Sequence, residues 1–84
     1  MLGPEMRGGK NVSLGDLAPG EVGIVQSLSG GRGFVNRLAA LGFTPGAEVT
    51  MVQNFGHGPI IVMVRGTRIA LGRGEAGRVL IGRG

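Results

Sequence analysis

His57, in "NFGHGP", is the one histidine of the chain, and cysteine is absent. The carboxylates are Glu5, Asp16, Glu21, Glu48 and Glu75. They are scattered so that no two of them share the i, i+3 or i+4 spacing that would place them on one helical face. A transition-metal centre built from imidazole and carboxylate commonly needs two His and one carboxylate. That set is missing, so no metal site within the chain is expected. His57 reads as a loop residue, exposed or bonded to a carbonyl, and as a weak metal candidate only when shared with a partner.

Catalytic chemistry has as little support. Ser13, Ser27 and Ser29 have no histidine or paired acid in a recognisable arrangement. The expectation is a protein that is not an enzyme and carries no cofactor. "GGRGFVN" puts a glycine-rich turn before a helix start, the setting of a phosphate cradle. Asn36 stands where the dinucleotide fingerprint has its third glycine, and no G-K-[ST] follows. Those glycines read as a sharp turn.

The remaining chemistry is recognition. Tyr and Trp are absent and Phe occurs at 34, 43 and 55. An aromatic-lined groove for proline-rich peptides cannot be assembled, and neither can a base-stacking platform. Phe34 and Phe43 are expected inside. Phe55 and His57, with the arginines at 65, 68 and 73, are the candidate partner-binding residues, since aromatics and arginine are enriched in interface hot spots. Phosphate contact by Arg65, Arg68, Arg73 and Arg78 is the alternative, a basic nucleic-acid-binding barrel.

The elements must come from 84 residues, enough for one small domain. Glycine contributes 19 residues and proline 4, yet Val, Ile, Leu and Phe supply 25, too many for a disordered chain. Net charge is +4, which suits a weakly acidic partner, an anionic membrane surface or nucleic acid without choosing among them. No apolar run reaches the ~18 residues of a membrane span. Residues 1–11, starting "MLGPEMRGGK", lack a signal-peptide core and read as a flexible leader; residues 12–84 read as the domain.

Ser13 is placed to cap a short turn with Leu14 and Leu17 pointing inward. "EVGIVQSL" is the first strand, with Val22, Ile24 and Leu28 on one face and Gly23 and Val25 on the other. Phe34, Leu38 and Leu41 form a helical stripe that Gly42 ends, and Arg37 lies at its margin. Pro45-Gly46 turns into "AEVTMVQN", where Val49 and Met51 alternate with Thr50 and Val52. "PIIVMV" and "RIAL" form a hairpin around "RGT", "GRGEAG" is a turn, and "RVLI" is the last strand. Five short strands with glycine turns and one helix favour a small, partly closed barrel.

In order and spacing, "LGDLAPGEVGIVQSL", "RLAALGFTPGAEVTMV" and "GPIIVMVRGTRIALGRGEAGRVLI" resemble the FeoA family of ferrous-iron transport proteins. The matching positions are Leu14, Leu17 and Gly20; Arg37, Leu38, Leu41, Gly42, Pro45, Gly46 and Val49; Gly58 and Pro59; and Ile69 to Ala76. The resemblance covers Ser13 to Ile81. It implies a mainly β, SH3-like, partly open barrel with an inserted helix. It further implies a non-enzymatic cytoplasmic accessory protein beside FeoB, the Fe²⁺-moving membrane protein with a G-protein-like domain. A related barrel ends certain iron-dependent repressors, so a weak metal-sensing role is a second alternative. A monomer is expected, at the inner face of the membrane when docked. Arg37, at the margin of the stripe, reads as structural: either its stem covers apolar surface, or its guanidinium bonds loop carbonyls and pins the helix to the barrel.

Overall fold

A computed structural model describes residues 10–83. The order of elements is β1 (Lys10–Ser13), a 3-10 turn (Leu14–Asp16), β2 (Val22–Leu28), α1 (Arg32–Ala40), β3 (Glu48–Gln53), β4 (Ile60–Val64), β5 (Thr67–Leu71), α2 (Arg73–Ala76) and β6 (Val79–Arg83). The strands form one antiparallel sheet in the order β1-β6-β2-β3-β4-β5. Its two edges, β1 and β5, are not paired with each other, so the curled sheet stays open.

Alternation along the strands builds the core. Val49 and Met51 of β3, Ile60, Val62 and Val64 of β4, and Val79 and Ile81 of β6 are buried against Leu14, Leu17, Leu38 and Phe43. In β2 both faces carry apolar residues, and the inward one is Gly23 and Val25; Val22 and Ile24 face outward at 44% and 37% exposure. Glycine is required at 23, because a Cβ there would lie 2.2 Å from Ile81 Cγ2. A register shift between Val25 and Ser27 then turns Leu28 back toward the core.

The turns follow from backbone chemistry. Gly42 has φ +109° and ends α1, while Phe43 N–H bonds the Leu38 carbonyl at 3.0 Å. Arg65 and Gly66 both have positive φ, +53° and +77°, which is the twist a two-residue hairpin needs between β4 and β5.

Three features differ from the sequence reading. A sixth strand is present: Lys10 and Asn11, assigned above to the leader, pair with Arg83 and Gly82 as the start of β1. The rest of that leader, residues 1–9, lies outside the described residues. "GRGEAG" contains the one-turn helix α2. Leu41, assigned to the helix stripe, is 39% exposed as the residue after α1, and Phe43 fills the core there instead.

Candidate protein-interaction site

The loop 54–59 joins β3 to β4, and Asn54 organises it. Its Nδ2 donates to the carbonyls of Gly15 at 3.0 Å and Leu17 at 2.8 Å, tying the loop to the 3-10 turn. Its Oδ1 accepts the Gly56 N–H at 2.9 Å, an Asx turn that bends the chain just after Phe55. The Arg73 guanidinium, from α2, closes the network. Nη2 donates to Asn54 Oδ1 at 2.7 Å, Nε to the Gly58 carbonyl at 3.1 Å and Nη1 to the Gly15 carbonyl at 3.4 Å. Gly56 and Gly58 supply the positive φ the reversal needs. Held this way, the loop leaves Phe55 71% exposed, with His57 and Pro59 exposed beside it.

The predicted partner-binding residues therefore divide. Phe55 and His57 share one loop. Arg73 reaches that loop, half-buried and engaged by its own chain. Arg65 and Arg68 lie toward the other end of the β4–β5 hairpin: Ile60 pairs with Leu71 at the loop end, Met63 with Arg68 and Val64 with Thr67 at the tip. The Arg65 side chain crosses Gly42, where a Cβ would come within 2.9 Å of its Cδ. Near that tip lies an open groove of about 440 Å³ lined by Ala47, Glu48, Thr50, Met63, Arg65 and Gly66.

Among the described residues Arg37 bonds no loop carbonyl; it pairs with Glu75, linking α1 to α2 at the surface. Arg73 makes the kind of carbonyl contacts that were one option for Arg37. Glu75 is held below the usual carboxylate range, first by the Gly72 N–H and then by Arg37 and Arg78. Glu21 is lowered likewise by the Ala18 N–H and by Arg83, which pairs with it at 3.2 Å. Arg78 sits over the Phe34 ring, 5.5 Å from its centre.

Among the described residues no three His, Cys, Asp or Glu side chains are grouped to hold a metal ion. Ser13 Oγ donates to Asp16 and Ser29 Oγ to the Arg78 carbonyl, neither to an imidazole. Gly31 caps α1 as the last residue of the glycine-rich turn. A side chain at Gly30 would meet Phe34 and Arg78. Asn54 and its bridge to Arg73 were missed from the sequence, although N-x-G after a strand carries the Asx-turn signal.

Fold and site together define a small SH3-like β domain whose exposed chemistry is a braced aromatic loop. The FeoA domain family model matches residues 12–83, and the chain belongs to the FeoA family of ferrous-iron transport accessory domains. A Methanocaldococcus jannaschii protein named as an Fe(2+) transport protein A is 34% identical over 62 residues, 74% of each chain. The crystal structure of an iron uptake regulatory protein (FeoA) superposes with a TM-score of 0.83 at 39% identity, covering 88% of this chain and 99% of the other. Stenotrophomonas maltophilia FeoA complexed with zinc, described as an SH3 domain protein, gives 0.74 at 35% identity over 83% and 88%. No helix among the described residues is long and apolar enough to cross a membrane.

Proposed function

We propose that this chain is a non-enzymatic accessory protein that docks on the cytosolic side of a FeoB-type Fe²⁺ transporter and modulates it by contact. Fe²⁺ is the transporter's cargo on this reading, and the chain biases its partner's conformation without chemistry of its own. Family membership supports the pathway. The observation that carries docking is Phe55, a large apolar side chain left 71% exposed on a loop fixed by side-chain hydrogen bonds. The Stenotrophomonas maltophilia relative is described as complexed with zinc, whereas no three His, Cys, Asp or Glu side chains group together among the described residues here.

The test is retention of the chain by detergent-solubilised FeoB-type transporter at low salt, with GTP or GDP present. Retention that persists near physiological salt is expected. Failure to bind in either nucleotide state counts against the function. Binding to DNA or RNA that collapses as salt rises would instead mark phosphate contact by Arg65 and Arg68.

A further inference from the structure

We infer that the loop 54–59 is the docking element itself: Phe55 is an aromatic anchor for a phenyl-sized apolar pocket on a folded protein partner, and Arg73 is a positioning residue that holds it ready. The inference rests on the docking function proposed above and names the residue and the partner chemistry.

Three observations converge on the loop. The first is its length. The two-residue turn Arg65-Gly66 suffices to join β4 to β5, whereas six residues, 54–59, join the equally adjacent antiparallel pair β3 and β4. The second is its bracing. Asn54 and Arg73 are half-buried and together bond the carbonyls of Gly15, Leu17 and Gly58 and the N–H of Gly56. These contacts fix the backbone on both sides of Phe55 yet leave its ring in solvent. A loop ordered before binding loses less freedom on docking, which is how rigid aromatic anchors gain affinity. The third is the contrast with the other two phenylalanines: Phe43 is fully buried, and Phe34 packs on the core under Arg78.

Charge placement selects the occupant. A lipid surface is held by an apolar wedge together with free cations on the same side. Here Arg73, the guanidinium at the loop among the described residues, is bonded to its own chain, and Arg65 and Arg68, which have no ion-pair partner among the described residues, lie toward the far end of the hairpin. The groove near the hairpin tip is lined by Glu48, Thr50 and Arg65 as well as Met63, polar surroundings for a phenyl ring, which argues against a second copy of the chain as the occupant. A pocket on a different protein remains, and apolar burial of one ring in a desolvated site is the usual form of a hot spot.

The experiment measures affinity for the full-length detergent-solubilised FeoB-type transporter using the whole chain, its Phe55→Ala and Arg73→Ala variants and the double variant. Vesicles of phosphatidylglycerol and phosphatidylcholine form a parallel arm. Phe55→Ala is expected to weaken transporter binding by about tenfold or more. Arg73→Ala, measured below its melting temperature, is expected to weaken it by about three- to tenfold. In the Phe55→Ala background Arg73→Ala is expected to add nothing, because it acts through that ring. Faster amide exchange at Gly56 in Arg73→Ala is the matching structural readout. Wild-type protein that does not bind the transporter sinks the docking function and this inference together. Full binding by Phe55→Ala overturns the inference and leaves the docking function standing. Additive losses in the double variant remove the positioning role of Arg73. Phe55-dependent retention on vesicles without transporter binding makes lipid the occupant and overturns the protein pocket.

Discussion

Replacing Arg73 by alanine should cost more stability than replacing Arg37, although both arginines bridge elements. Arg73 loses three hydrogen bonds in a half-buried setting: to Asn54 Oδ1, the Gly58 carbonyl and the Gly15 carbonyl. Two of the acceptors keep another donor, since Gly15 retains Asn54 Nδ2 and Asn54 Oδ1 retains the Gly56 N–H. Only the exposed Gly58 carbonyl is stranded, and water can reach it. The net cost is therefore toward the low end for charged hydrogen bonds, about 1–2 kcal/mol. For a domain of this size that lowers Tm by about 5–15 °C. Arg37 and Glu75 form one ion pair with side chains 52% and 38% exposed, and its loss should move Tm by under about 4 °C. Circular-dichroism melts of both variants near neutral pH decide the matter. Equal shifts, or a larger one for Arg37→Ala, would refute the assignment of Arg73 as the residue that fastens the loop.

Gly23→Ala should lower Tm by about 4–24 °C, because its methyl would overlap Ile81 Cγ2 in a packed interior and cost about 1–3 kcal/mol; an unchanged melt would mean that β2 and β6 can part without penalty. Phe55→Ser should change Tm by less than about 3 °C, since the ring is 71% exposed and packs on little, and a large drop in the melt would place it against the barrel. Acid should destabilise the fold through Glu21 and Glu75. Both have folded-state pKa values below the ordinary glutamate value, so the unfolded chain binds more protons in this range. Their stabilisation is present above that value and is lost as pH falls from there through the depressed folded values. Glu75→Gln should flatten the Tm profile between about pH 5 and about pH 3, and a profile as steep as wild type would assign the acid loss elsewhere.

What the sequence made legible was whatever a single element decides alone. The alternation of Val49 and Met51, the continuous "PIIVMV" and the glycine after Leu41 each carry a local signal, and the strands and helix stop follow from them. Strand β1 has no such signal. "KNVS" holds one apolar residue, and it is a strand only because Lys10 to Ser13 can pair along β6. Its existence is a tertiary fact overriding weak propensity. The inward face of β2 was open for a related reason: both faces are apolar, and the choice falls to Gly23 because Ile81 packs where its side chain would stand. Leu41 fits the helical stripe in period yet falls just past the last turn of α1, where Phe43 takes the interior.

The two arginines show where pattern reasoning stops at the site. From spacing alone Arg37 borders an apolar stripe and Arg73 sits in a glycine turn, so the first looks structural and the second free. What decides the matter is that Gly15, Asn54, Gly58 and Arg73 meet in space, brought there by the 3-10 turn, the loop 54–59 and α2. A guanidinium supplies a rigid fork of donors, and three acceptors from two segments use it, an arrangement that a lysine's compact ammonium would not reproduce. That fork spares Phe55 from bracing the loop through its own packing. In a chain with so small a core and three aromatic rings, leaving one ring in solvent forgoes burial that would otherwise add stability. The bracing goes instead to the backbone around the ring. It is the arrangement that the docking proposed for Phe55 requires.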